Sequence, residues 1–443
     1  MKKYIMLFLV IPALFACDKL SVKQQQEDFL FLMEICEQRH PDPYYALPQE
    51  QFEVKKQDFL SSLNKPLNVH DFWIRLTEWQ PFFDGHTRTQ HPDDCVEYLK
   101  TKKSLFFSGR KIRINQDKLY FGDMPGTPDS LACREITRIN TIVSEEIIDN
   151  IMQHITHENQ IISNLDFENM FCVIYPLLYG MPKKIEVEYI DRDTTKSITL
   201  TMDDFGAWDS IARDAFVSNS RHSAFNYFYY PEQGIALWEF NSFNDTFEAL
   251  EPFRKKIDLG ISMLHKHNIQ HLFIDITQNG GGRDFFAYEF MCHLSALPDS
   301  GFRSKVSTKY NHSRGEFADT LSTDIYYYNK DKRDKEYAGN LYLIQSNYTY
   351  SAANTLSSFV KEYKLGTIIG EETGGMTACY IDSFMEELPN SKLVFYYAIK
   401  VFESPGGKWD GRGVIPDIYH EVGYKYRHKS FSVEELMQFI SKE

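Results

Sequence analysis

Apolar residues recur at helical spacing in the first quarter of the chain, which predicts a small N-terminal helical domain at residues 28–100. The segments with this spacing are residues 28–39, 49–63 and 71–83. From residue 101 to residue 203 the pattern changes to short runs in which apolar and polar positions alternate, as is typical of β-strands. The clearest of these runs are residues 111–114, 118–121 and 184–189. The first half therefore predicts a helical domain followed by a β-rich domain.

Predicted strands and helices alternate in the second half. The strands are predicted at residues 234–240, 271–276 and 341–345, and the helices at residues 250–265, 285–297 and 351–364. Such alternation implies a layered α/β domain with a largely parallel sheet, here residues 220–443, and active sites gather at the carboxyl ends of such strands. The polar, tyrosine-rich stretch at residues 310–337 is longer than an ordinary connection between elements. It is predicted to form a loop over a substrate groove.

The N-terminus has the pattern of an export signal. Two lysines precede an apolar run at residues 4–16 that is too short to span a bilayer, and Cys17 follows it. This segment resembles a bacterial lipobox, which implies a signal peptide at residues 1–16, lipid attachment at Cys17 and a polar tether at residues 17–27. We expect a lipid-anchored protein of the cell envelope that faces the periplasm or the cell exterior. An ordinary secretory signal with a chance cysteine is the alternative.

Composition narrows the class of partner. The chain has 443 residues, enough for two to three domains, and 43% of them are hydrophobic, as in soluble globular proteins. The net charge of −14 argues against a nucleic-acid partner, because phosphate binding needs a basic surface. Neither a CxxC nor an HExxH motif occurs in the sequence. We therefore expect no metal site and no cofactor.

Candidate chemistry lies where two predicted strands end. Ser351 stands at the junction of a strand with a helix, where free backbone N–H groups and the helix dipole favour developing negative charge. Glycines at residues 280–282 follow another strand and would let bare N–H groups approach a ligand closely. Each feature has a structural alternative, a helix N-cap for the serine and a tight turn for the glycines. Together they indicate a nucleophile with an oxyanion pocket.

Four segments carry a resemblance to a known family. They are residues 274–282, with the sequence Ile-Asp-Ile-Thr-Gln-Asn-Gly-Gly-Gly, and residues 349–353, 369–375 and 411–417. In type and order they resemble the tail-specific, or C-terminal processing, serine peptidases and their tricorn-like relatives. The resemblance implies a crotonase-like catalytic domain, with Ser351 as nucleophile and an oxyanion hole formed by the backbone N–H groups of Ala352 and of Gly280 or Gly281. Residues 133–146 resemble part of a PDZ-like domain, which either binds a peptide terminus or only braces the catalytic domain.

One departure from the family changes the expected base. Where the Ser-Lys branch has its lysine, this chain has Met376, whose thioether cannot accept a proton at useful pH. The resemblance to the tricorn-like branch implies His86 as the base, and histidine suits that role because its ordinary pKa is about 6.5. The branch orients its histidine with a glutamate that acts through a serine, but this chain has Gly85 in place of the serine. The nearest matching acid is Asp410, which is equally consistent with a turn residue.

These observations predict a lipid-anchored serine endopeptidase that hydrolyses peptide bonds of extracytoplasmic proteins or peptides. Two rival residues are kept at the site, Asp84 as a partner of the histidine and His420 as an alternative base. Two other functions remain open. One is an inactive or weakly active lipoprotein that binds a peptide or an apolar ligand on the same fold, and the other is acyl transfer or amide hydrolysis on a non-peptide substrate.

Overall fold

The structure is a computed structural model, and it describes residues 19–107, 111–123, 126–204, 206–208, 223–244, 249–297, 302–311, 316–327, 336–422 and 429–441. The predicted signal peptide and Cys17 lie outside the described residues. Among the residues that are described, no helix combines the length and the apolar character needed to cross a membrane.

The N-terminal part is helical, as predicted. It contains α1 (Val22–Arg39), α2 (Gln49–Ser62), α3 (Val69–Leu76), a 3-10 helix (Thr77–Phe82), the short strand β1 (Arg88–Thr89) and α4 (Cys95–Thr101). Helix α1 begins earlier than predicted because Ser21 and Gln24 form a capping box at its start. The prediction of a tether at residues 17–27 is therefore wrong from Val22 onward, and Gln25 is fully buried.

The middle part is a small sheet covered by two helices. Its elements are β2 (Ile112–Asn115), β3 (Lys118–Phe121), β4 (Glu135–Ile139), β5 (Ile142–Val143), α5 (Ser144–Met152), α6 (Gln160–Tyr179), β6 (Lys184–Asp191) and β7 (Thr194–Thr201). The strand order is β2-β3-β4-β6-β7, and β5 pairs with β4. The edge strand β2 is partly closed to an added strand, because Ile114 N–H donates to the buried Glu168 Oε1 at 3.2 Å.

The second half carries two further sheets. Its strands are β8 (Phe225–Tyr230), β9 (Ile235–Phe240), β10 (His271–Asp275), β11 (Phe302–Asn311), β12 (Glu316–Tyr327), β13 (Asn340–Gln345), β14 (Thr367–Gly370), β15 (Ala378–Glu387), β16 (Val394–Glu403) and β17 (Ile418–Tyr419). Its helices among the described residues are α7 (Leu250–Lys266), α8 (Asp284–Met291), α9 (Ala352–Glu362) and α10 (Val433–Ile440). The central sheet has the order β17-β14-β13-β10-β9-β8 and is parallel except for the pair of β8 with β9. This arrangement confirms the layered α/β prediction.

The third sheet joins the N-terminal part to the second half. Its order is β1-β16-β11-β12, with β15 on the other side of β16. Strand β1 pairs with β16 through Arg88 opposite Tyr396, so the chain segment just after His86 is fixed to the second half. The prediction of a loop at residues 310–337 is wrong where the structure describes that stretch, because residues 310–311 and 316–327 belong to the antiparallel pair of β11 and β12.

Hydrophobic side chains form three clusters. The first is continuous from the N-terminal helices through the middle sheet to residues of β16, such as Phe395 and Tyr397, so the two predicted N-terminal domains share one core. The other two clusters lie on the two faces of the central sheet, and their members alternate along β10. Leu272 and Ile274 belong to one cluster and Phe273 to the other, because successive side chains of a strand point to opposite faces.

Helix α7 packs closely on the central sheet at Gly260. An added Cβ there would lie 2.7 Å from the ring of Trp238, which is fully buried. Alanine normally stabilises a helix by up to about 1 kcal/mol relative to glycine, but overpacking a buried ring costs about 1–3 kcal/mol. We expect Gly260→Ala to lower the free energy of unfolding measured in urea, whereas Leu259→Ala at the neighbouring exposed position should change it by less than about 0.5 kcal/mol. A stabilised Gly260→Ala protein would contradict the close packing.

Candidate active site

Ser351 stands at the tip of the connection between β13 and α9. Its φ of 50° and ψ of −127° place a non-glycine residue in a sparsely populated region, and such strain is concentrated at functional sites. The glycine segment reaches Ser351 because β10 and β13 are parallel neighbours with Asp275 opposite Ile344. Gly281, with a φ of 101°, contacts the serine so closely that an added Cβ would lie 2.6 Å from Ser351 Cβ. The structure thus brings the predicted serine and the predicted glycine turn together.

His86 reaches this place from the N-terminal part of the chain. Its backbone N–H donates to Asp84 Oδ1 at 2.8 Å, and its carbonyl accepts a hydrogen bond from Ser383 Oγ of β15 at 2.9 Å. Its imidazole lies over the ring of Tyr350, with 5.2 Å between the ring centroids. The backbone of His86 is therefore held from both sides, and its ring lies beside the residue that precedes Ser351.

Ser351 and His86 line one cavity of about 200 Å³. Within the part of the chain that the structure describes, their side chains form no direct hydrogen bond with each other, and no lysine lines the cavity. Met376, at the position of the lysine in the Ser-Lys branch, is buried in the cavity wall. The imidazole is therefore a group of the cavity that is suited to accept a proton from a serine near neutral pH.

The environment of His86 favours the neutral imidazole. Burial lowers the pKa of His86 below its ordinary value, and the charge of Asp84 offsets this only in part. Asp84 is fully buried, and its Oδ2 lies 2.9 Å from His40 Nε2. Although burial would raise the pKa of Asp84, the hydrogen bond and charge of His40 lower it, so Asp84 is a carboxylate at neutral pH. At pH 7 the imidazole is thus largely unprotonated and available as a base.

A second buried carboxyl group lies close to the imidazole. Tyr350 Oη is 3.3 Å from His86 Nδ1, and it donates a hydrogen bond to Glu158 Oε2 at 2.9 Å. Burial, together with the charge of Asp84, raises the pKa of Glu158 to about 8. Glu158 was not predicted from the sequence, because it lies between α5 and α6 and belongs to no motif. Tyr350 was quoted only as a member of residues 349–353.

Two further carboxyl groups line the cavity. Burial, followed by the charge of Asp382, raises the pKa of Asp284 to about 6. Asp382 itself forms an ion pair with Lys400 of β16. Among the described residues, no group of three or more His, Cys, Asp or Glu side chains is arranged to hold a metal ion.

Several predicted residues lie apart from the cavity or are otherwise engaged. Asp410 is exposed, does not line the cavity, and accepts a hydrogen bond from the backbone N–H of Arg412, which is the behaviour of a turn residue. His420 packs against Phe439 instead of the cavity. The structure therefore does not bring Asp410 or His420 to Ser351.

The proposed oxyanion donors also differ in availability. The Gly281 N–H donates to the Asn279 side chain at 2.9 Å, which removes this amide from the donors that can face a ligand. Ala352 is the first residue of α9 and lines the cavity together with Gly282, whereas Gly280 is exposed outside it. Gly282 was not predicted as a donor, although it belongs to the same glycine run.

A layered α/β fold with a strained serine at a helix start, beside a histidine and a glycine turn, is an arrangement suited to a serine-type peptidase. The sequence model of peptidase family S41 matches residues 235–420 of the chain. All four segments that suggested the tail-specific, or C-terminal processing, peptidases lie within this range, and the resemblance is confirmed. His86 and Glu158 lie outside it.

Solved structures show that the likeness of fold extends beyond the matched domain. Mature CPAF complexed with lactacystin has a TM-score of 0.65 at 12% sequence identity, over 95% of this chain and 97% of CPAF. A second structure of mature CPAF has a TM-score of 0.62 at 11% sequence identity, over 95% of this chain and 96% of that chain. The structure of a CPAF mutant has a TM-score of 0.63 at 11% sequence identity, over 95% of this chain and 98% of that chain. The common fold therefore includes the N-terminal and middle parts of the chain.

Proposed function

We propose that the protein is a lipid-anchored serine endopeptidase of the tricorn-like Ser-His branch, which cuts extracytoplasmic proteins or peptides. Ser351 is the nucleophile and His86 is the general base. The observation that carries the proposal is that these two residues, from opposite ends of the chain, line one cavity at the start of α9. We further propose that the layered domain is crotonase-like and that the β-rich middle part is PDZ-like.

Acylation begins when His86 accepts the hydroxyl proton of Ser351 and the serine Oγ attacks the carbonyl carbon of the substrate. The imidazole and the hydroxyl need a separation of roughly 2.6–3.2 Å for this transfer, and catalytic hydrogen bonds often reach it only when substrate is bound. The neutral state of His86 at pH 7, favoured by its burial, supports its role as acceptor.

The tetrahedral oxyanion is stabilised by backbone N–H groups at the start of α9. Ala352 N–H lies at the positive end of the helix dipole and belongs to the residue after the nucleophile. The second donor comes from the glycine segment, with Gly280 or Gly282 as the remaining candidates once Gly281 is engaged by Asn279. Each such donor stabilises the transition state by about 2.7–4 kcal/mol.

The intermediate collapses when the carbon–nitrogen bond of the substrate breaks and His86 returns its proton to the leaving amine. A water molecule then gives a proton to His86 and attacks the acyl-serine. When the ester bond breaks, His86 returns this proton to Ser351 Oγ and the free serine hydroxyl is restored. The whole cycle requires one group that alternates between base and acid, which is the role proposed for His86.

The proposed location rests on the N-terminal sequence. An apolar run that ends at Cys17 is typical of a lipoprotein signal, and acylation at Cys17 would hold the folded part, from Ser21 onward, against a membrane surface. Proteins of the cell envelope are therefore the proposed substrates.

A fluorophosphonate probe tests the nucleophile directly. We expect covalent labelling of the wild-type protein and hydrolysis of casein or a fluorogenic peptide, with both lost in Ser351→Ala. Ser357→Ala is the matched control, because Ser357 is a fully buried serine on the same helix and does not line the cavity.

Labelling at another residue, or equal hydrolysis by Ser351→Ala, would contradict the mechanism. Binding of peptides without turnover by the wild type would instead favour the ligand-binding alternative.

Fractionation of expressing cells tests the anchor, since the labelled protein should move from the membrane to the soluble fraction in Cys17→Ser.

A further inference from the structure

The absence of a side chain at residue 85 has a specific consequence for the site. An added Cβ on Gly85 would overlap both Glu158 Oε2 and Tyr350 Oη. Gly85 has no positive φ, so its backbone does not require glycine. The space beside His86 is therefore kept open for a tyrosine hydroxyl and a carboxyl group that come from two other parts of the chain.

We propose that Tyr350 and Glu158 are the positioning residues of His86, in place of the acid that the sequence located at Asp410. The proposal deepens the proposed function and rests on it. The contacts that carry it are Tyr350 Oη to His86 Nδ1 at 3.3 Å and Tyr350 Oη to Glu158 Oε2 at 2.9 Å. The β-rich middle part thus supplies a group of the catalytic centre.

The direction of the hydrogen bonds sets the tautomer of the imidazole. With the Tyr350 hydroxyl donating to Glu158 Oε2, its oxygen is free to accept the Nδ1–H of His86. A proton on Nδ1 leaves Nε2 unprotonated, which is the form a base needs. When Nε2 takes the proton of Ser351, the positive imidazolium is stabilised through Tyr350 by the Glu158 carboxylate.

The same contacts make the arrangement sensitive to pH. Burial and the charges of Asp84 and Asp166 raise the pKa of Glu158, hydrogen bonds from Tyr350 and the Gly85 backbone lower it, and the net result is a pKa of about 8. The groups that influence His86 are Asp84, Arg88, Asp382 and the Tyr380 backbone. Since the carboxylate form of Glu158 accumulates only as the pH rises toward 8, support for the imidazolium should increase over that range.

Kinetics of the Glu158→Gln and Tyr350→Phe proteins test the proposal. Each variant should lower kcat for a fluorogenic peptide at least about ten-fold, with KM changed by less than about two-fold, because the imidazole and not the substrate loses its partner. In the wild type kcat should rise with pH through an apparent pKa near 8, and this rise should be absent from Glu158→Gln. Glu168→Gln, another buried carboxyl group of the middle part, is the matched control and should keep the wild-type profile.

An NMR measurement tests the same contacts without turnover. Selective 15N labelling of histidine, with His86 assigned by its loss in His86→Gln, should show neutral His86 with its proton on Nδ1 in the wild type. Gly85→Ala, which displaces both partners, and Glu158→Gln should each change this tautomer ratio. A wild-type proton on Nε2, or unchanged tautomers and kcat in the variants, would overturn the proposal. If the wild type showed the expected tautomers but hydrolysed no peptide, only the proposed function would be overturned.

Discussion

Replacing Ser351 with alanine is expected to lower kcat for a peptide substrate by roughly a million-fold, and replacing His86 should cost a similar factor. The reason is that the hydroxyl and the imidazole act on the same proton, so the loss of either leaves only the oxyanion pocket and substrate binding. The double variant Ser351→Ala/His86→Ala should therefore be little slower than either single variant. Steady-state kinetics of the three proteins with one fluorogenic peptide measures this non-additivity.

His420→Ala is the control for this experiment, because His420 lies against Phe439 and outside the cavity. It should retain a kcat close to that of the wild type. Loss of activity in His420→Ala with survival in His86→Ala would show that the base was misassigned. Multiplicative losses in the double variant would show that the two groups do not cooperate in one step.

The second large effect is expected at Gly281. Alanine there would place a methyl group 2.6 Å from Ser351 Cβ, 2.8 Å from the Tyr350 carbonyl oxygen and 3.0 Å from Ala352 N. The φ of 101° adds backbone strain for any residue with a Cβ. Because a shift of about 1 Å in a catalytic group costs about a hundred-fold, we expect Gly281→Ala to lower kcat by at least that factor and the free energy of unfolding by about 1–3 kcal/mol.

Gly411→Ala separates the steric effect from the backbone effect. Gly411 also has a positive φ, 72°, but an added Cβ there would meet nothing within 4 Å. The Gly411→Ala protein should therefore also have a lower free energy of unfolding, measured in urea, while its kcat stays near the wild-type value. If Gly281→Ala and Gly411→Ala lost activity equally, contact with Ser351 would not be the reason for the glycine.

The local pattern of the chain was sufficient to predict much of the second half. The apolar strands around the glycine turn and before Ser351 appear close to the predicted positions, as β10 (His271–Asp275) and β13 (Asn340–Gln345), because fully buried parallel strands produce continuous apolar runs. Strand β12 and the last two residues of β11 were predicted as a loop for the opposite reason. Their residues are largely polar, and their pairing depends on a partner strand and not on a local apolar pattern.

The site was predictable only where its residues belong to motifs. Ser351 and His86 stand in segments that resemble a family, and the structure brings both to one cavity. Asp410 was selected by analogy of position, yet its surroundings make it a turn residue. Glu158 could not be found from sequence, because its relation to His86 arises from the packing of α5 and α6 against the rest of the chain, a long-range contact that no local pattern encodes.

The hydrogen bond from Asn159 Nδ2 to the Gly374 carbonyl, at 2.9 Å, fastens the middle part to the peptidase domain one residue from Glu158. Asn159 also caps α6 by accepting a hydrogen bond from Ile162 N–H, so a single side chain joins the helix to the domain that contains Ser351. A fragment limited to residues 235–420 would lack both His86 and Glu158, and under the proposed mechanism we expect it to be inactive. A truncated or domain-exchanged form of this protein should therefore retain the N-terminal and middle parts together with the peptidase domain if it is to remain active.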